Sequence, residues 1–263
     1  MTSPDEVPAV KLPGGGQLPM VGFGTWNLHG RAARDAVLAA LAAGYRHVDT
    51  ATMYRNEAEV GQALAESDCA RADVFVTTKI RAGDAGRVRA VLQASLRALG
   101  TSYLDLWLAH WPPSRAAQRR QLWQDMLEVQ AEGLVRDIGV SNFSLAQVDE
   151  LISASGQAPA VNQIDWGPAF YDRAVLAGHA ERGVAVEGYS PLKNTNLRDH
   201  VLTSIAAEHG VSPAQVVLRW HLQHDITVIP KSARPERISV NLDLFSFALT
   251  AGQMAALDGL GRG

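Results

Sequence analysis

Cysteine is nearly missing from this sequence, with Cys69 alone among 263 residues. One thiol cannot build an intramolecular disulfide framework, so the core must hold the fold, and a reducing cytoplasm is expected. Long apolar runs are missing too. No stretch approaches the roughly 18 residues needed to cross a bilayer. The start, Met1-Thr2-Ser3-Pro4-Asp5-Glu6, is acidic and lacks the basic and apolar regions of a secretory signal. Neither sign of charge dominates. There are 24 Lys and Arg against 27 Asp and Glu, a formal net charge of −3. That balance leaves no electrostatic footprint for nucleic acid or an anionic membrane. A dinucleotide fingerprint is also lacking. A GxGxxG begun at Gly14 would need glycine where Pro19 stands, and one begun at Gly22 would need it at Asn27.

What remains is a chain with 47% hydrophobic residues, long enough for one large core. No composition break divides it, so residues 1–263 are expected to form one domain. Residues 7–20 alternate weakly around Gly14-Gly15-Gly16, which predicts a β-hairpin with a glycine turn. A regular beat follows. Strands are expected at 46–49, 74–78, 104–109, 135–139, 160–164, 184–189, 226–229 and 242–245. Helical spacing falls between them, at 31–43, 56–66, 88–99, 118–131, 145–154, 172–181, 198–208, 213–221, 235–239 and 250–260. Asp84 and Ser144 stand as expected caps of the third and fifth helices, and Pro213 suits a first turn.

Strands that alternate with helices run parallel through crossovers, and eight of them suggest a closed (β/α)8 barrel behind an N-terminal β-hairpin. An open doubly wound sheet is the rival. In a barrel, functional residues stand at the C-terminal ends of strands. Those ends read Asp49, Lys79, His110, Ser141-Asn142, Gln163, Tyr189-Ser190 and Lys231-Ser232, with Tyr54 in the loop after Asp49.

A phenol ionises near pH 10, so it is a weak acid at neutral pH. An ammonium nearby favours the phenolate, which eases proton donation, and Lys79 can supply that charge while Asp49 keeps it aimed. A carbonyl oxygen between Tyr54 and His110 would meet two donors where negative charge grows. No side chain here supplies a hydride, so that chemistry requires a cofactor. Other polar and aromatic residues have plainer readings. Trp107, Trp123 and Trp220 are expected in the core. His221 and His224 lack a third ligand, so no metal site is expected. Arg115, Arg119 and Arg120 read as a solvated helix start.

The chain resembles the aldo-keto reductase superfamily over essentially its whole length. The matching blocks are Gly22-Phe23-Gly24-Thr25-Trp26, Asp49-Thr50-Ala51 with Tyr54-Arg55-Asn56-Glu57, Thr77-Thr78-Lys79, and Asp105-Leu106 with His110-Trp111-Pro112. They continue through Gly139-Val140-Ser141-Asn142-Phe143, Asn162-Gln163, Tyr189-Ser190-Pro191-Leu192 and Ile229-Pro230-Lys231-Ser232. The resemblance implies a (β/α)8 barrel that binds NADPH across the strand ends. It implies Tyr54 as general acid, tuned by Lys79, with Asp49 paired to that lysine and His110 orienting the carbonyl. Ser141, Asn142 and Gln163 match holders of the nicotinamide carboxamide, and Tyr189 matches the aromatic stacked on its ring. Ser190 and Leu192 fall in the pyrophosphate loop. Lys231, Ser232 and Arg237 match the group around the adenosine 2′-phosphate, Asn241 matches an adenine contact, and Trp26 and Trp111 match pocket walls. Two cations around a dianion favour NADPH over NADH.

Two positions depart from the family pattern: Val240 stands where relatives carry an acidic or amide residue, and Ala233 where an aromatic often covers adenine. Family members also usually continue into a tail over the substrate mouth, beyond Gly261-Arg262-Gly263. The expected function is reduction of aldehydes, with some ketones or dicarbonyls, by a monomer whose partner is a small carbonyl compound. Two other readings stay open: a cofactor-binding regulatory protein with little catalysis, and a Schiff-base lyase using Lys79.

Overall fold

The computed structural model describes residues 7–262. The acidic start at residues 1–6 and Gly263 lie outside the described residues. Strands β1 (Ala9–Lys11) and β2 (Gln17–Pro19) pair antiparallel, Val10 opposite Leu18, as the alternation predicts. Gly15 supplies the positive φ of 93° that the turn requires.

Eight parallel strands follow: β3 (Phe23–Gly24), β4 (His47–Asp49), β5 (Phe75–Ile80), β6 (Leu104–Ala109), β7 (Val135–Ser141), β8 (Val161–Asp165), β9 (Ala185–Tyr189) and β10 (Thr227–Val228). Each pairs with its neighbour in sequence. The ring closes where Val21 bridges Val228, with the Gly22 N–H donating to the Val228 carbonyl at 2.9 Å and that of Gly24 to Pro230 at 3.1 Å. This is the expected (β/α)8 barrel, and an open doubly wound sheet is ruled out.

The strand count is right, but one strand is misplaced. Residues 242–245 are not a strand. Helix α9 (Pro235–Leu242), longer than expected, ends there, and the chain then runs on irregularly with Asp243 exposed and Leu244 fully buried. That in-out alternation imitates a strand. The missing member is β3, two buried residues between glycine and threonine, too short to carry a period.

The remaining helices are α1 (Gly30–Ala43), α2 (Glu57–Glu66), α3 (Val88–Leu99), α4 (Ala116–Ala131), α5 (Leu145–Ser155), α6 (Arg173–Glu181), α7 (His200–His209), α8 (Pro213–Gln223) and α10 (Ala251–Asp258). Ser144, Ser212 and Thr250 each form a capping box with a glutamine three residues on. Asp84 does not cap α3. Its carboxylate pairs with Arg81 and Arg87 instead, and Arg87 occupies the cap position without a side-chain bond to the helix's first turn. Arg119 and Arg120 do more than face solvent, because both pair with Glu150. Trp107, Trp123 and Trp220 are buried as expected. His221 contacts the Val217 carbonyl and His224 contacts Asp258. No helix among the described residues is long and apolar enough to cross a membrane.

Alternation along the strands sorts their side chains into two layers. One face packs on the helices, where Trp107, Ile138 and Val140 meet Leu92, Leu122, Met126 and Leu151. The other fills the barrel. At its N-terminal end the filling is apolar: Phe75, Leu106, Leu108 and Val161 pack with Leu12 and Leu18 of the hairpin. The hairpin is tied down by Asp137, whose two oxygens accept from the Gly14 and Gly16 N–H groups at 2.6 and 3.0 Å. At the C-terminal end the same inward rows turn polar.

Candidate active site

Asp49 closes β4, and the chain turns through one 3-10 turn, Thr52–Tyr54, before Arg55 takes a left-handed φ of 55°. Asn56, fully buried, fixes this turn. Its amide donates to the Thr25 and Leu28 carbonyls at 3.0 and 2.9 Å and accepts from the Thr50 hydroxyl at 2.7 Å. The loop carrying Trp26 is thereby stitched to the turn carrying Tyr54. Thr52 adds a bond to the Lys79 carbonyl at 3.0 Å.

Lys79, on β5, is fully buried. Its ammonium donates to both Asp49 oxygens at 2.6 and 2.7 Å and to the Thr50 carbonyl at 2.9 Å, and lies 3.3 Å from Tyr54 Oη. Burial alone would lower the Lys79 pKa, but the Asp49 carboxylate beside it, joined by Tyr54 and Glu187, leaves it raised, so the lysine is charged. The expected effect on Tyr54 is only half realised. Burial raises the phenol's pKa, Lys79 opposes it, and the net direction is upward. Tyr54 is thus held protonated, which is the form a proton donor needs.

His110 follows β6 and meets the Tyr54 ring edge-on, centroids 5.7 Å apart. Burial, helped by the charge on Lys79, pushes its pKa down to about 3, so the imidazole is neutral. No described group bonds its buried Nδ1. Asn142, at a left-handed φ of 64°, donates to the His110 carbonyl and to Ser141 Oγ, while its own carbonyl accepts from the Tyr189 hydroxyl at 2.7 Å. Gln163 spends both amide hydrogens inside the barrel, on Asp49 at 2.9 Å and on Glu187 at 2.6 Å. No described donor reaches its carbonyl oxygen.

These groups surround a cavity of about 690 Å³. Asp49, Tyr54, His110, Trp26 and Trp111 line it together with Ser141, Asn142, Gln163, Tyr189, Ser190, Leu192 and Lys231. Lys79 lies beneath, reaching the cavity through Asp49 and Tyr54. Ser232, Arg237 and Asn241 stand apart, around α9. Ser232 Oγ accepts from the Arg234 N–H at 3.0 Å, Asn241 is buried, and Arg237 is exposed. Neither Lys231 nor Arg237 has an ion-pair partner among the described residues. Val240 is exposed on the same helix.

The sequence reasoning passed over Met53, Asn56 and Glu187. Met53 is 44% exposed and lines the cavity. Glu187 carried a readable signal, an acid in the middle of an apolar strand.

The sequence profile of the aldo/keto reductase family matches residues 20–262, so the chain belongs to that family of oxidoreductases. A protein of Mycolicibacterium vanbaalenii named aldo-keto reductase is 44% identical over 100% of this chain and 95% of its own length. The 2,5-diketo-D-gluconic acid reductase B of a Corynebacterium species is 42% identical over 98% of this chain and 95% of its own. A crystal structure of a Bombyx mori aldo-keto reductase in complex with NADP superposes with a TM-score of 0.90 at 33% identity. It covers 98% of this chain and 93% of the silkworm chain.

Proposed function

We propose that this protein reduces aldehydes, and some ketones and dicarbonyls, to alcohols with NADPH, Tyr54 giving the proton. The observation that carries the reading is a protonated phenol 3.3 Å from a fully buried, charged lysine, beside a neutral imidazole on the wall of one cavity. When bound, NADPH supplies the hydride. The residues fit such a cofactor. Gln163 and Asn142 offer fixed amides to a carboxamide, and Lys231 and Arg237 are cations without carboxylate partners, suited to a 2′-phosphate.

The chain's own part follows from its charges. A carbonyl oxygen between Tyr54 Oη and His110 accepts two hydrogen bonds, and as negative charge gathers on it the Tyr54 proton moves across. The phenolate left behind faces the Lys79 ammonium, which stabilises it in a site shielded from water. Asp49 keeps that ammonium in place. The same ion pair argues against Schiff-base chemistry, which requires a neutral amine. Trp26 and Trp111, 54% and 49% exposed, give the cavity flat apolar walls that favour aromatic aldehydes and tolerate many shapes.

The test is NADPH oxidation followed by absorbance across aldehydes, ketones, dicarbonyls and sugars. Turnover of aldehydes is expected. Tight NADPH binding without turnover of any carbonyl would instead favour the regulatory reading. For the cofactor, Arg237→Ala should weaken NADPH by about tenfold or more and leave NADH unchanged, since a charge-assisted bond contributes roughly 1.5–3 kcal/mol. Equal losses for both would place Arg237 elsewhere.

A further inference from the structure

Glu187 has no part in the chemistry above, yet it sits at its centre. It is fully buried on β9, its side chain inside the barrel, register-matched to Gln163 on β8 and to Thr227 on β10. Its Oε1 accepts from the Gln163 amide at 2.6 Å, the same nitrogen that donates to Asp49. Its Oε2 is buried without a described partner, as is Thr227 Oγ1 beside it. Two carboxyls therefore share one amide and one cation. The distribution of bonds is unequal: Asp49 receives two from Lys79 and one from Gln163, while Glu187 receives only the one from Gln163.

We propose that Glu187 is a positioning residue: its uncharged carboxyl locks the Gln163 amide, carbonyl toward the cavity, and the appearance of a charge on it disables Tyr54. The inference rests on the reductase reading for its consequence, but not for its geometry. One ammonium balances one carboxylate, so a second anion in this buried layer is uncompensated. Burial raises the pKa of Asp49 as well, but Lys79 and Gln163 oppose it there with three bonds against the one that Glu187 receives, which assigns the proton to Glu187. Burial, joined by the charge of Asp49, pushes its pKa up to about 8, against the opposing pull of Lys79 and the Gln163 bond. Ionised, it would raise the pKa of Tyr54 and of Lys79, making the phenol a poorer acid.

The groups that face it are accounted for. Asp49 on β4, Lys79 on β5 and Tyr54 from the turn after β4 are the charged or titratable neighbours at its level. His47, two residues before Asp49 on the same inward row of β4, contacts Thr77 and stays neutral, burial pushing its pKa down to about 3. Asp165 and Tyr189 stand one inward step further toward the cavity, as register partners. His179 on α6 contacts Asn162, and His221 on α8 lies against Gly188, both on the outward face of the strands.

The experiment begins without cofactor. In protein labelled with [δ-13C]glutamate, one carboxyl resonance should titrate with a midpoint near 8 and be absent from Glu187→Gln or Glu187→Leu, whichever is used to assign it. A Glu187 resonance that titrates in the ordinary carboxylate range would overturn the proposal. The second measurement is the pH profile of kcat. Wild type should fall by about tenfold per pH unit above that midpoint. Glu187→Gln, which keeps an acceptor for Gln163 and cannot ionise, should lose this limb, while Glu187→Leu should raise the KM for NADPH several-fold. An alkaline limb unmoved in Glu187→Gln would assign it to another group and sink the idea. Total absence of carbonyl reduction would overturn the proposed function instead, and the resonance titration would still decide the state of Glu187.

Discussion

Phe75 and Lys79 stand on the same inward row of β5, four residues apart, and live in opposite worlds. Phe75 packs with Leu12, Leu18, Leu106 and Val161 at the N-terminal end, while Lys79 joins Asp49, Gln163 and Glu187 through hydrogen bonds at the C-terminal end. The rows of β8 and β9 change in the same way, from Val161 to Gln163 and from Ala185 to Glu187. Apolar filling contributes stability without needing exact partners. The polar layer costs desolvation, which the bonds joining Lys79, Asp49, Gln163 and Glu187 offset. Stability and chemistry should therefore separate along the barrel axis, and mutations at the two ends should have different signatures.

The largest expected effect is at the polar end. Tyr54→Phe removes one oxygen and leaves the ring contacts with Trp26 and His110 in place. It should cost about 10²–10⁴-fold in kcat or more, with NADPH affinity nearly unchanged and a melting temperature close to wild type. Near-normal turnover would break the assignment of Tyr54 as acid. At the other end, Phe75→Ala should cost about 3–5 kcal/mol of stability, the usual range for deleting a buried phenylalanine. Its kcat per folded molecule should match wild type. Denaturant melts and active-site titration measure the two quantities separately, and a parallel fall in kcat would show the ends to be coupled.

A smaller effect sharpens the comparison by testing a polar device at the apolar end. Asp137→Ala strips the Gly14 and Gly16 N–H groups of their acceptor. The loss should be about 1–3 kcal/mol, again without change in kcat. The hairpin amides should exchange faster with solvent, which hydrogen exchange would read directly.

The contrast also explains what could be read from the chain beforehand. Strands such as 104–109 and helices such as α5 and α8, with their capping boxes, are local patterns, and local patterns are visible in sequence. The ring of polar strand ends was visible for the same reason. A closed barrel was expected from the strand count, but the strand that closes it was not visible. Phe23–Gly24 is a strand only because β4 and β10 flank it, and residues 242–245 alternate without a partner strand. The net direction of the Tyr54 pKa was also out of reach, because it depends on how deeply the ring is buried. Asn56 and Asp137 do their work through carbonyls and amides 28 to 123 residues away. Spacing along the chain carries no trace of such bonds.

The smallest predicted effect lies at the cavity rim, where the indole of Trp111 is half exposed. If the cavity is the carbonyl pocket proposed here, aromatic aldehydes lie against that face. An aromatic pair of this kind contributes about 0.5–1.5 kcal/mol beyond the area it buries. Trp111→Ala should then raise KM for benzaldehyde-like substrates by roughly three- to tenfold, one tenfold step being about 1.4 kcal/mol. Methylglyoxal is too small to spread over the ring, so its KM should change less than twofold. His110 precedes Trp111 and is held by the backbone of β5, its N–H donating to the Ile80 carbonyl at 2.9 Å, so kcat for both substrates should stay near wild type. The diagnostic quantity is the ratio of the two KM changes within one variant, which cancels any shared loss of active protein. Equal increases for both compounds would mean that Trp111 shapes the pocket without touching the substrate, and the apolar-wall account of its breadth would fail.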